Sequence, residues 1–313
     1  MFSADLIGQL LLALTPIALM IASGWWLRRK AFLADAFWPQ AERLGYYVLL
    51  PALLVNGLAT AKLDGLPIVS MAATLAASLV CVGLLLVALR RYIPVHNAAF
   101  TSIFQGGIRF NNYVGLSIVA GLLGPQAMAM AAVAIASIVP TVNILCVLIF
   151  AHYGDKGAPS IRHVLRQLMV NPLILACVAG IVLHVTGIGL PPGIQPVFRA
   201  FGQASLPLGL LCVGAALEFA SVRTWVRPVA VSSIAKFVLM PTATLLACRV
   251  FGLSGEAALV ALIFQALPTA SSSYIMAREL GGDAPLMAGI IACQTLIAGV
   301  ALPVVLLLLG GWL

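Results

Sequence analysis

Near the middle of a long apolar stretch the chain reads Gln105-Gly106-Gly107-Ile108-Arg109-Phe110-Asn111-Asn112-Tyr113. A second apolar stretch is interrupted in the same way by Gln265-Ala266-Leu267-Pro268-Thr269-Ala270-Ser271-Ser272-Ser273-Tyr274. Paired glycines and a proline weaken a helix at these points. The polar side chains beside them can satisfy the freed backbone groups or line a cavity, as irregular backbone inside a membrane requires. The sequence therefore predicts two helices that are each broken near the middle.

The composition around these segments is that of a membrane protein. Hydrophobic residues make up 62% of the 313 residues, charged residues only 8%, and the mean hydropathy is +1.11. A soluble domain needs more charge on its surface, so one membrane domain embedded in a lipid bilayer is expected. The six cysteines all lie in apolar stretches without a Cys-x-x-Cys pattern, which indicates free thiols rather than disulfides or metal ligands.

Ten membrane spans are predicted, and the basic residues set their orientation. The spans cover residues 5–27, 38–60, 66–89, 98–123, 126–152, 168–188, 194–219, 226–250, 256–280 and 284–312. On one side the connections hold only Lys62 and Arg249. On the other side they hold Arg28, Arg29, Lys30, Arg90, Arg91, Lys156, Arg162, Arg166, Arg223, Arg227 and Arg278. Because basic residues concentrate in cytoplasmic loops, both termini are expected on the outer, periplasmic side of the cell inner membrane. A net charge of +8 distributed in this way does not indicate nucleic-acid binding.

The two halves of the chain share an ordered set of short matches. Arg43 and Pro51 in the second span match Arg199 and Pro207 in the seventh, and Ile103-Phe104-Gln105 recurs as Ile263-Phe264-Gln265. Five spans in each half give the halves opposite orientations. The fold class predicted is therefore an all-α membrane protein of two inverted five-helix repeats, residues 1–153 and 168–313, joined by a cytoplasmic linker, residues 154–167. The broken fourth and ninth helices cross within it. Repeats of this kind, with matched broken helices at the binding site, are typical of secondary transporters.

Arg109 is the most unusual residue of the first interruption. It lies near the middle of its span with no carboxylate within four residues, and a central arginine costs at least about 2.5–3.5 kcal/mol unless it is paired or hydrated. Nearby amides and the positive ends of the following half-helices favour an anion. The candidate substrate-binding residues are Gln105, Arg109, Asn111, Asn112, Lys236, Gln265, Thr269, Ser271, Ser272 and Ser273, and the candidate helix-breaking residues are Gly106, Gly107 and Pro268.

Structural alternatives exist for the cations and for the isolated polar residues. Arg109 could pair with Glu42 or Glu218, or extend its side chain to an interface, and Lys236 could do the latter. For Asn56, Asn143 and Gln294, hydrogen bonds between helices are the favoured role. No histidine spacing, nucleophile motif or Walker A loop occurs, so neither a metal, a cofactor nor an enzymatic activity is expected.

Over nearly its full length the chain resembles the auxin efflux carrier family, in its bacterial branch. The matching motifs are Ile108-Arg109-Phe110-Asn111-Asn112-Tyr113-Val114-Gly115-Leu116, Asn171-Pro172-Leu173-Ile174, Leu206-Pro207-Leu208-Gly209-Leu210-Leu211, Leu267-Pro268-Thr269-Ala270, Gly281-Gly282-Asp283, and Gln294-Thr295 with Pro303. The resemblance implies ten helices in inverted repeats and transport of small organic anions, such as malonate or malate. The plant exporters carry proline at both crossovers, whereas this chain has Gly106-Gly107 at the first and adds Arg109. This difference favours a compact carboxylate or dicarboxylate over auxin.

The function predicted from the sequence is thus a secondary active or facilitative carrier of small carboxylates that works by alternating access. A membrane sensor or a channel on the same fold is the alternative. Neither crossover contains a carboxylate, which favours sodium-independent transport. The oligomeric state stays open, with a homodimer as one option.

Overall fold

The computed structural model describes residues 4–60, 66–154, 166, 169–218 and 225–312. Every regular element in these residues is a helix. In this described part of the chain, five helical segments are long and apolar enough to cross a membrane: Ile68–Tyr92, Met128–Tyr153, Gln195–Ala215, Val226–Phe251 and Ala284–Leu309. The predicted all-helical membrane class is confirmed, whereas the ten spans and their inverted repetition stay predictions.

The described residues form a series of α-helices. In chain order they are α1 (Ala4–Arg29), α2 (Phe37–Leu44), α3 (Leu50–Thr60), α4 (Ile68–Ala88), α5 (Asn97–Ile108), α6 (Asn112–Leu122), α7 (Met128–Tyr153), α8 (Pro172–Val185), α9 (Gln195–Ala215), α10 (Val226–Ile234), α11 (Met240–Phe251), α12 (Gly255–Gln265), α13 (Ser272–Leu280) and α14 (Ala284–Leu309). A π-helical turn, Gly45–Leu49, joins α2 to α3, and a second one, Ala235–Leu239, joins α10 to α11.

The first of two compact units consists of Met1–Leu66, Asn112–Ala136 and Gln167–Ala216. In it α1 packs on α9, and α3 packs on α8 and α9. Small residues allow the close approach: a Cβ on Gly24 would overlap the backbone carbonyl of Leu211. Arg28 donates a 2.6 Å hydrogen bond from Nη1 to the carbonyl of Ala215 and so caps the C-terminus of α9. Asn171 caps α8 through the amides of Leu173 and Ile174.

The second unit consists of Pro67–Asn111, Ser137–Arg166 and Leu217–Leu313. Its helix α5 packs on α10 and α14, while α4 packs on α11. One apolar cluster of this unit comprises Ile93, Ala99, Phe100, Ile103, Val229, Ala277, Leu286, Met287, Ile290 and Ile291. The carboxylate of Asp283 caps α14 by accepting a 2.9 Å hydrogen bond from the amide of Leu286. Both units draw on both halves of the chain.

Several sequence predictions concern residues outside the described part. In the expected linker, residues 154–167, only Gly154 and Arg166 are described, so Lys156 and Arg162 lie outside it. Lys62 and Arg223 lie outside it as well. The division of the chain into repeats at residues 153 and 168 therefore stays a prediction.

The two helix breaks lie within the segments expected from the sequence, but one set of breaking residues was wrong. The helix α5 continues through Gly106 and Gly107 and ends at Ile108, and α6 begins at Asn112. These glycines serve packing instead: a Cβ on Gly106 would overlap the hydroxyl oxygen of Ser232 and lie 2.6 Å from Cγ2 of Ile290. In the second break α12 ends at Gln265 and α13 begins at Ser272, with Pro268 in the gap.

Candidate functional site

Arg109 is the first residue after α5, and its guanidinium is bound by neutral groups alone. Nη1 donates to Oδ1 of Asn143 at 3.2 Å and contacts Sδ of Met276 at 3.4 Å. Nη2 donates to Oγ of Ser272 at 3.3 Å. Nε is buried and has no hydrogen-bond partner among the described residues. Helices α5, α7 and α13 of the second unit thus meet at this side chain.

No carboxylate compensates the charge of Arg109 in the described part of the chain. Ion pairs among the described residues include Arg28 with Asp35 and His96 with Asp283, and none of the contacts described for Arg109 is to a carboxylate. Glu218, one of the two partners considered from the sequence, is exposed. The alternative of a structural ion pair therefore finds no support in the described residues. A guanidinium that is partly removed from water and bound by neutral groups, here an amide, a hydroxyl, a thioether and the thiol of Cys146, still lacks a compensating negative charge.

The N-terminus of α13 adds to this demand. Ser272 opens the helix and Met276 lies one turn further on, so the guanidinium lies against the first turn of α13. The amides of Ser273 and Tyr274 donate to the carbonyls of Ala270 and Ser271, and the helix dipole still makes this end partly positive. A cation and a helix N-terminus repel each other unless an anion lies between them. The arrangement is chemically suited to a carboxylate.

Gln294 of α14 connects the two helix breaks within the second unit. Its Oε1 accepts a 3.0 Å hydrogen bond from the amide of Thr269, in the second break. Its Nε2 donates to the carbonyl of Gly106 at 3.0 Å and to Oγ of Ser232 at 3.2 Å. The hydroxyls of Thr269 and Ser273 lie 3.1 Å apart and share a hydrogen bond. The amide side chain of Gln294 therefore binds the backbone of the second break and the backbone of the last turn of α5, next to the first break.

The remaining predicted residues do not all join Arg109. Gln265 is fully buried and its Nε2 donates to the carbonyl of Leu75 and to Oγ of Ser78, so α4 holds it. Gln105 is fully buried, and neither polar atom of its amide has a hydrogen-bond partner among the described residues. Lys236 is fully buried in the second π-helical turn, and its Nζ likewise has no such partner there.

The three polar residues next to the breaks differ in their burial and in the unit or helix to which they belong. Asn111 is buried and belongs to the second unit. Asn112 opens α6 in the first unit, and its Oδ1 is buried without a hydrogen-bond partner among the described residues. Ser271 is half-buried and immediately precedes α13.

Sequence reasoning missed some residues that contact the site. Asn143 was assigned only to hydrogen bonding between helices, and it does bond between helices, but its partner is Arg109. The sequence feature that could have identified Asn143 is that it is an isolated polar residue in an apolar span. Met276 carried no signal, because a methionine in an apolar helix is ordinary packing material. For Gln294 the expectation of interhelical hydrogen bonds is confirmed.

Comparison with known proteins assigns the chain to a family. No curated protein sequence matches it. A family model described as membrane transport protein matches residues 10–306, almost the whole chain. This match confirms the resemblance to the auxin efflux carriers at the level of the family. The broken helices, the uncompensated arginine and this match agree, and the chain is a multi-pass helical membrane protein that belongs to the membrane transport protein family of the auxin efflux carriers.

Proposed function

We propose that this protein carries small organic anions, carboxylates such as malonate or malate, across the cell membrane by alternating access. Arg109 would bind the carboxylate together with the hydroxyl of Ser272, at the positive end of the α13 dipole. The observation that supports this most directly is the guanidinium placed at a helix N-terminus with only neutral partners. A carboxylate would supply the missing negative charge and accept two parallel hydrogen bonds from the arginine fork.

The size of the expected substrate follows from the groups around the arginine. Asn143 and Ser272, which bind Arg109, are short polar side chains that can bind oxygen atoms of a compact anion. An aromatic acid such as auxin would instead need an apolar surface for its rings. A compact mono- or dicarboxylate therefore fits these groups better.

The proposed membrane arrangement is the one expected from the sequence. It has ten spans in two inverted five-helix repeats, with both termini on the outer side of the inner membrane. The half-helices on either side of each break would then bring Arg109 and Ser272 to the middle of the bilayer. Five of the helical segments meet the length and hydropathy of a membrane span by themselves.

The proposal can be tested by binding and counterflow with labelled carboxylates. Purified protein in lipid nanodiscs should bind a mono- or dicarboxylate, and in proteoliposomes an internal load of the same anion should drive saturable uptake. Arg109→Ala should abolish both. Arg227→Ala is a matched control, because Arg227 also lies near a helix N-terminus in the second unit but is exposed. Equal affinity of Arg109→Ala and Arg227→Ala for the anion would overturn the proposal.

The same experiment separates the carrier from the alternatives drawn from the sequence. A sensor would bind the anion without counterflow, and a channel would show flux that does not saturate. Both of these would still require the Arg109 site. Only a carrier shows exchange of internal against external anion together with saturation.

A further inference from the structure

Lys236 is the second deep cation of the second unit, and the anion site around Arg109 does not account for it. It lies in the π-helical turn Ala235–Leu239, is 0% exposed, and has no hydrogen-bond partner for Nζ among the described residues. Full burial excludes the alternative that its side chain extends to an interface. A π-helical turn inside an α-helix is often found at a functional site.

The neighbouring contacts place Lys236 beside the last turn of α5. Oγ of Ser232 donates a 3.2 Å hydrogen bond to the carbonyl of Ile103. One turn further along both helices, a Cβ on Gly107 would lie 3.2 Å from Cβ of Ala235. The two segments therefore run in the same direction. Because Lys236 follows Ala235 directly, its backbone lies at the level where α5 ends at Ile108.

The end of α5 is a partly negative site. The last four carbonyls of a helix lack partners within it, and the helix dipole makes this end attractive to cations. In α5 the carbonyl of Gln105 accepts from the amide of Arg109, and that of Gly106 accepts from Gln294. The remaining two carbonyls belong to Gly107 and Ile108. Broken helices in carriers commonly hold a coupling cation with such carbonyls.

None of the described helices that pack on this turn carries an acidic residue. The π-helical turn of Lys236 packs on α4, α5, α10, α11 and α14. The charged residues on these five helices are Arg227 and Arg249, and both are exposed. The negative charge available to the Lys236 ammonium is therefore the partial charge of carbonyl and amide oxygens. Two buried oxygens of this unit, Oε1 of Gln105 and Oε1 of Gln265, have no hydrogen-bond partner among the described residues.

We propose that Lys236, whose backbone lies level with the C-terminal end of α5, supplies at that end the positive charge that a bound sodium ion supplies in cation-coupled carriers. The lysine is a cation tethered to the protein, so this carrier needs no bound sodium to stabilise the broken helix. The inference rests on the proposed function for its transport consequences. It gives Lys236 a positioning role, distinct from the substrate-binding role expected from the sequence.

Two substitutions at this position separate a cation site from a packing role. Lys236→Ala leaves a space that a sodium or methylammonium ion can enter, whereas Lys236→Met fills the space with an apolar chain of similar length. Lys30→Ala is the control, because Lys30 is exposed. Carboxylate counterflow is measured in N-methylglucamine, a cation too large for the site, and then with sodium or methylammonium added.

In N-methylglucamine, wild type and Lys30→Ala should transport normally, and Lys236→Ala should be slower by at least about tenfold. Sodium or methylammonium should restore Lys236→Ala and should leave Lys236→Met inactive. Undiminished transport by Lys236→Ala in N-methylglucamine would overturn the inference. So would a folded Lys236→Ala protein, monodisperse in size-exclusion chromatography, that none of these cations restores.

A second readout does not depend on the substrate. A ligand that binds the folded state raises the unfolding temperature, so methylammonium should raise that of Lys236→Ala and not that of wild type or Lys236→Met. If the wild-type protein neither binds nor transports any carboxylate, the proposed function fails, whereas this shift still decides whether Lys236 fills a cation site. The absence of the shift in Lys236→Ala would count against the cation site in either case.

Discussion

At the scale of single residues, the chemistry of the site depends on the geometry of Arg109. Its two terminal nitrogens donate to different helices, to Asn143 on α7 and to Ser272 on α13. A carboxylate that enters must compete with these neutral acceptors. Charge-assisted hydrogen bonds are roughly twice as strong as neutral ones. The neutral partners therefore hold the fork in place without preventing exchange for an anion.

The first prediction concerns replacement of this fork. Arg109→Ala should weaken carboxylate binding by at least about 100-fold, because two charge-assisted bonds at about 1.5–3 kcal/mol each are lost. Arg109→Lys should recover part of the affinity, since lysine keeps the charge but not the bidentate geometry. Isothermal titration of protein in nanodiscs measures both values. Equal affinity of the lysine variant and wild type would show that only the charge matters.

Ser272 should contribute less than the arginine. Its hydroxyl accepts one bond from Arg109, and a neutral hydrogen bond is worth about 0.5–1.5 kcal/mol. Ser272→Ala should therefore weaken binding by about two- to tenfold. Counterflow at varied substrate concentration gives this change in the half-saturating concentration. A loss as large as that of Arg109→Ala would mean that Ser272 binds the anion by itself.

At the scale of helices, the two breaks are connected by hydrogen bonds from a side chain of another helix, α14. Gln294 satisfies the amide of Thr269 in one break and the carbonyl of Gly106 at the end of α5. Both partners lie in a fully buried part of the second unit. An unpaired backbone group in such surroundings is costly. Gln294 is therefore expected to stabilise the region of the two helix breaks in the second unit.

A substitution of Gln294 tests this role. Gln294→Leu leaves a buried amide and a buried carbonyl without a partner, at about 1–3 kcal/mol each. It should lower the unfolding temperature in detergent clearly more than Gln203→Leu, which changes an exposed glutamine on α9. An unfolding temperature equal to that of Gln203→Leu would show that other groups, such as water, replace the amide.

The packing role of Gly106 can be tested against another helical glycine of the same unit. In Gly106→Ala the new methyl group meets Ser232 and Ile290, and such overpacking costs about 1–3 kcal/mol. In Gly299→Ala it meets nothing within 4 Å, and the loss of glycine stabilises a helix by about 0.5–1 kcal/mol. Thermal unfolding should thus shift in opposite directions. A shift of the same sign would contradict the packing role of Gly106.

At the scale of the whole molecule, the basic residues and the anion site make predictions about orientation and energetics. The outer position of both termini places the linker in the cytoplasm. A single cysteine introduced at Gly157, a residue outside the described part of the structure, should react with a membrane-impermeant reagent only after the cells are opened. Reaction in intact cells would reverse the predicted orientation.

Transport should move net charge and should not require sodium. One charge crossing 100 mV is worth about 2.3 kcal/mol, which is more than a tenfold bias in distribution. A uniporter would therefore favour anion export from a cell that is negative inside, and uptake would need protons moving with the anion. The test is transport into proteoliposomes in which the sodium concentration, the pH gradient and the membrane potential are varied separately. It measures the net charge moved and any requirement for sodium or protons. A strict sodium requirement would contradict both this prediction and the role of Lys236.

The sequence by itself determined the class of the protein and the position of its unusual features. Hydropathy is a local property, so long apolar stretches identify membrane helices without knowledge of their neighbours. The polar interruptions and the isolated Arg109 stand out for the same reason. Helix ends at Ile108 and Gln265 fall within the predicted segments. The family expected from the ordered motifs is the one whose model matches residues 10–306.

Only the tertiary structure decided which of these features act together. It showed that Gly106 and Gly107 pack against neighbouring helices and do not break α5. It showed that Arg109 is hydrogen-bonded to Asn143 and Ser272, and that Gln265 is hydrogen-bonded to α4. It also placed the backbone of Lys236 level with the end of α5. Apolar helices resemble one another in sequence, so no local pattern specifies which helix faces meet. Which faces meet depends on the packing of small residues and on hydrogen bonds between residues far apart in the sequence, such as Arg109 and Ser272.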